Sequence, residues 1–61
     1  MYKWEAIEAD GGKWHYDVEP IFTERGGWMP QSMNWKFIEQ MPTRRNGVCV
    51  GWENSLRKLE P

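Results

Sequence analysis

Tyr2-Lys3-Trp4-Glu5-Ala6-Ile7-Glu8-Ala9-Asp10-Gly11-Gly12-Lys13-Trp14-His15-Tyr16-Asp17-Val18 is the stretch whose reading decides the fold. Tyr2, Trp4 and Ala6 alternate with Lys3, Glu5 and Ile7, and Trp14, Tyr16 and Val18 alternate with Lys13, His15 and Asp17, the period of two expected of paired strands. A three-residue loop, Ala9-Asp10-Gly11, would place Gly11 at positive φ, which glycine adopts without steric cost. The register then follows. Ala6 faces Trp14, Trp4 faces Tyr16 and Tyr2 faces Val18 on one side, while Lys3 meets Asp17 and Glu5 meets His15 on the other. Moving the loop to Asp10-Gly11-Gly12 would set Glu5 opposite Asp17, a like-charge pair that cross-strand energetics disfavour.

Working outward, Pro20 ends ladder donation, and Ile21-Phe22 form a short apolar patch before the turn signal Gly26-Gly27. The segment Trp28 to Pro42 supports two readings. Met33, Phe37 and Met41 recur every four residues beside Ile38, with Ser32 as a cap and Pro42 as a stop, which predicts a short helix over 32–41. Met33, Trp35 and Phe37 also alternate with Asn34 and Lys36, as in a strand. The helix is the preferred expectation because the alternation fails at Ile38. Asn46-Gly47 marks a turn, Val48-Cys49-Val50-Gly51-Trp52 reads as a third strand, and Leu56 and Leu59 predict one helical turn or a cover for a sheet edge.

The expected architecture is therefore α+β: one small domain over residues 1–61, with an antiparallel hairpin and a third strand packed under the helix stripe Met33, Phe37 and Met41. A five-stranded SH3-like small barrel is the alternative. A chain of 61 residues buries only about 60% of its unfolded surface, so the five Trp, two Tyr and two Phe are first of all core candidates. One cysteine forbids an internal disulfide, and Cys49 with His15 cannot complete a four-ligand zinc site. No metal and no cofactor is implied. With neither a long apolar run nor a basic-then-apolar leader, the expectation is a cytoplasmic protein without membrane association.

Enzymatic chemistry has little to draw on. Acid–base or nucleophilic catalysis needs a positioned pair, and His15 and Cys49 are the available groups. His15 stands across from Glu5 as a surface charge pair, and Cys49 reads as a small apolar filler. No phosphate-cradling glycine loop and no His-Glu-x-x-His occurs.

Trp4-Glu5, the turn Asp10-Gly11-Gly12-Lys13, Tyr16 and Trp28-Met29-Pro30 are similar in order to a WW domain, a three-stranded binder of proline-rich peptides. No Asn-His follows the second strand, and the threonine lies too far from Trp28. Gly27-Trp28-Met29-Pro30 followed by Asn34-Trp35 resembles the Gly-x-x-Pro-x-Asn-Tyr stretch of SH3 domains, with extra residues between Pro30 and Asn34 and no acidic aromatic N-terminal motif. The chain is assigned to neither family, and proline-rich peptide binding is a minor reading.

Net charge is −1, which argues against nonspecific polyanion binding by the whole molecule. Its distribution is uneven: residues 1–25 carry −3, and residues 26–61 carry +2 from Lys36, Arg44, Arg45, Arg57 and Lys58 against Glu39, Glu53 and Glu60. These cations, with Trp35 and Trp52 nearby in sequence, are the basis of a nucleic-acid reading. The preferred expectation is a non-enzymatic interaction module that binds and modulates or blocks a larger protein or protein complex. Trp and Arg dominate interface hot spots, so Trp28, Trp35, Arg44, Arg45, Trp52, Arg57 and Lys58 are the candidate contacts. Small cysteine-poor chains of this kind occur among accessory and inhibitor proteins of phages and mobile elements. The oligomeric state is not legible.

Overall fold

The computed structural model describes residues 1–59; Glu60 and Pro61, the end of the tail considered above, lie outside the described residues. Six short strands follow in order: β1 (Trp4–Ile7), β2 (Gly12–Tyr16), β3 (Ile21–Phe22), β4 (Trp28–Met29), β5 (Trp35–Gln40) and β6 (Arg57–Lys58), with one 3-10 turn over Trp52–Asn54. A four-stranded antiparallel sheet runs β5-β2-β1-β6, and β3 and β4 form a separate two-stranded ribbon. The described residues form a small, mostly antiparallel β domain.

The hairpin has the register its alternation predicts, with Trp4 opposite Tyr16, Glu5 opposite His15 and Ala6 opposite Trp14. Glu8 N–H donates to Gly12 O at 2.9 Å and Gly11 N–H to Glu8 O at 2.9 Å, closing the loop at Gly11, whose φ is +91°. Asp10 completes it by accepting Gly12 N–H on its side chain at 2.9 Å.

The expected helix over 32–41 is corrected: Trp35–Gln40 is strand β5, paired along β2, and no α-helix occurs among the described residues. Phe37 lies opposite Trp14 and Trp35 opposite Tyr16, so the strand alternation is the one that folds. Its apparent failure at Ile38 is a β-bulge, an extra residue between Phe37, opposite Trp14, and Glu39, opposite Lys13. Pairing also satisfies the backbone of β2's open edge and extends its aromatic face, which a helix stripe would have left to Met33; that side chain is 87% exposed. The third strand expected at Val48–Trp52 is likewise corrected to a turn running into the 3-10 segment, with Gly51 at φ +84°. The tail does cover a sheet edge, as β6 on β1, with Leu59 N–H donating to Lys3 O at 2.8 Å. The barrel alternative is not closed, since the ribbon shares no ladder with the larger sheet.

The core is aromatic and small. Ala6, Tyr16, Trp28 and Trp52 are buried, with Trp4, Ala9, Trp14, Cys49 and Leu56 packed around them. Phe22 stacks on Trp52 at 5.4 Å and meets Trp28 edge-on at 5.5 Å, so the β3–β4 ribbon folds its inner side onto the 3-10 turn. Ala9 fastens both pieces to the hairpin: its N–H donates to Gly26 O at 2.8 Å, and its carbonyl accepts Cys49 N–H at 2.6 Å.

Candidate functional site

The seven side chains singled out in the sequence divide three ways. Trp28 and Trp52 are buried in the core, and Trp28, on which both family resemblances rest, donates its indole N–H to Ile7 O at 2.9 Å. Trp52 opens the 3-10 turn, which Ser55 ties to β1: the Ser55 hydroxyl accepts Ile7 N–H at 2.8 Å and lies 2.6 Å from Trp52 O. Trp35 is different. It is 40% exposed on β5, an edge strand of the sheet.

The basic residues are not gathered on one face. Arg57 donates through Nε to Glu5 Oε2 at 2.7 Å, whereas Lys58, the next residue of β6, stands opposite Trp4 on the other side of the sheet. Arg44 and Arg45 lie exposed in the loop after β5, which is closed by Arg44 N–H to Val48 O at 2.9 Å and Gly47 N–H to Arg44 O at 2.8 Å. They line an open hollow with Thr43 and Asn46.

Cross-strand partners share a face, so the register builds two different surfaces. One carries the row Arg57, Glu5, His15 and Lys36, a residue from each of the four strands. Glu5 is only 8% exposed and accepts from both Arg57 and His15, the latter at 3.0 Å. Burial alone would raise its carboxyl; the hydrogen bonds from Arg57 and His15 and the charges of Arg57 and Lys13 overcome that and hold it below the ordinary 4.5. Lys13 pairs with Glu39 at 3.0 Å on this same face. The arrangement joins strands through charge, and His15 is occupied by it.

The opposite face carries Trp14, Trp35 and Phe37 beside the buried Tyr16. Trp14 meets Phe37 edge-on at 5.4 Å, and Phe37 is 47% exposed. Tyr16 anchors the inner end: burial, reinforced by the charge of Glu8, pushes its phenol up to about 12. Asp17 fixes the way into β5 by accepting from the Ser32 hydroxyl and from Asn34 Nδ2, the latter at 3.1 Å. The result is an aromatic platform at the free edge of the sheet. Phe37 and Trp14 escape a reading of the chain that makes 32–41 a helix; the signal that finds them is the Trp35, Lys36, Phe37 alternation set against the hairpin's own.

Cys49 is half-buried against the core. Among the described residues no group of three His, Cys, Asp or Glu side chains is placed to hold a metal ion, and no helix is long and apolar enough to cross a membrane. Comparison with protein-family models gives no match, and comparisons with curated proteins and with solved structures give none either.

Proposed function

We propose that the chain is a non-enzymatic interaction module that docks on a larger protein through the Trp14, Trp35 and Phe37 platform, with Trp35 as the anchor. The observation that carries this reading is that Trp35 and Phe37 stand exposed side by side on one face of an edge strand, while Trp28 and Trp52 serve the core. A partly exposed tryptophan brings a large apolar area to an interface with few rotatable bonds to freeze. Lys36 on the reverse face, with Arg44 and Arg45 beyond the end of the strand, would steer encounter with an acidic partner and raise the association rate more than the affinity.

Nucleic-acid binding is the second reading, favoured by one observation: Arg44 and Arg45 are exposed and make no salt bridge among the described residues. The two readings part on salt. Phosphate-driven affinity falls steeply between about 50 mM and 200 mM salt, because neutralising phosphates releases counterions. Fluorescence anisotropy of labelled single- and double-stranded DNA and RNA across that range tests the choice. The protein-module reading expects no micromolar binding. Binding at ~1 µM or tighter that collapses with salt and vanishes in the Arg44→Ala/Arg45→Ala variant would overturn it.

A further inference from the structure

We infer that β5 is a self-complementary edge, and that a second copy of this chain pairs with it antiparallel over its full length to give one continuous eight-stranded sheet. Full overlap sets Trp35 opposite Gln40, Lys36 opposite Glu39 and Phe37 opposite Ile38 of the second copy. Partners across an antiparallel ladder must share a face. In a regular six-residue strand this overlap fails, because residues at opposite ends project to opposite faces. The bulge at Ile38 removes the conflict. Lys36 shares its face with Glu39, as their partners His15 and Lys13 show, and Trp35 shares the other face with Gln40, opposite Tyr16 and Gly12.

Charge selects the same register. Lys36 is exposed and makes no salt bridge among the described residues, and full overlap brings it against Glu39 of the second copy twice over, once on each side of the two-fold axis. A bulge and a lysine on an edge strand ordinarily discourage pairing. Here the bulge puts full overlap in phase, and the lysine finds its counter-charge only there: sliding by one residue sets Lys36 against Ile38 or Gln40 and puts the faces out of phase. β5 ends the strand order with β2 as its one strand neighbour, and all six of its residues are exposed.

The pairing completes the platform. Trp35 of one copy would continue onto Gln40 of the other, giving two equivalent aromatic clusters on one surface and a bivalent site for a partner. The pairing rests on the geometry of β5 alone, so the partner reading above stands or falls separately from it. A ladder of this length lies at the small end of interface sizes, and the dimer should form in a concentration-dependent way.

Sedimentation equilibrium of the whole chain between ~10 µM and ~1 mM tests this with three proteins: wild type, Lys36→Glu and Glu39→Lys, the variants measured alone and mixed in equal amounts. Wild type is expected to dimerise. Each variant alone sets like charges opposite one another twice and should remain monomeric to at least ~10-fold higher concentration, whereas the mixture restores both opposite-charge pairs and should dimerise again. Near-ultraviolet circular dichroism checks that the variants fold. Should Glu39→Lys unfold beside Lys13, the Lys13→Glu/Glu39→Lys variant restores that pair and takes its place in the mixture. A wild type monomeric throughout, variants that dimerise as wild type does, or a mixture that stays monomeric would each overturn the inference.

Discussion

Lys36 and Glu39 are three residues apart in β5 yet lie on the same face of the sheet, because Ile38 is an extra residue between two regular stretches of pairing with β2. Past the bulge, Gln40 Nε2 donates to Asp10 O at 2.6 Å, and Met41 N–H donates to Gly11 O at 2.7 Å. The end of β5 is thus fastened to the hairpin loop.

Gly11 bears on both the loop and that junction. Its φ of +91° disfavours any side chain, and a Cβ there would stand 2.5 Å from Met41 O, a backbone atom that cannot swing aside. Gly11→Ala should cost about 1–3 kcal/mol from strain alone. At Gly12 a Cβ would meet the Trp14 indole nitrogen at 3.0 Å, a side-chain contact with room to give, so Gly12→Ala should cost less. Urea melts of the two variants compare them directly.

Ser55 holds the 3-10 turn to β1 through Ile7 N–H. Ser55→Ala leaves that donor and the Trp52 carbonyl without their side-chain partner and should cost about 1–3 kcal/mol. Amide exchange at Ile7 should quicken in the variant relative to Trp4.

Two glutamates respond to acid with opposite signs. Glu5 has a lowered carboxyl pKa, so its contribution is present at neutral pH and is lost as pH falls below the ordinary 4.5 through the folded-state value. Glu8 is raised, first by burial and then by the charge of Asp10, against the backbone N–H of Trp28 and the indole of Trp14. Its contribution is present below the ordinary value and is lost as pH rises through the folded one. At pH 7, Glu5→Gln should therefore destabilise the fold and Glu8→Gln stabilise it, as read from chemical denaturation. The two differences from wild type should shrink as the pH is lowered to 3.

Tyr16 predicts a loss of stability in alkali. Its phenol is raised from 10.0 to about 12, so the folded state binds the proton longer than the unfolded chain, and stability falls as pH rises from 10 through about 12. Tyr16→Phe should remove that dependence, and absorbance titration of Tyr2→Phe, which leaves Tyr16 as the one phenol, should show the late ionisation.

The hairpin was legible because three independent signals agree on it: alternation, a glycine where positive φ is needed, and opposite charges across the strands. β5 was not, because a bulge breaks period two at Ile38, the residue beside the four-residue stripe Met33, Phe37 and Met41, and nothing local separates the two. What decides is tertiary: β2 needs a neighbour on its open side. The same gap affects the site. Trp28, Trp35 and Trp52 look alike in sequence, and which of them is exposed depends on the ribbon and the 3-10 turn closing over Ala6 and Tyr16. Cys49, expected in a third strand, instead uses its backbone N–H to hold a turn to Ala9.

The most direct measurement is photo-crosslinking from the platform itself. A benzoylphenylalanine placed at Trp35 and, in a second protein, at the exposed Glu53 of the 3-10 turn would be irradiated in nuclease-treated lysate of the source cells. We expect the probe at position 35 to capture one protein other than a second copy of this chain, with the probe at position 53 capturing none. Unlabelled wild type should compete the product away, and Phe37→Ala competitor should do so at least ~10-fold less well, the loss of a hot-spot contact. Equal capture from both positions, or capture that Phe37→Ala competes as well as wild type does, would contradict the platform as the docking surface.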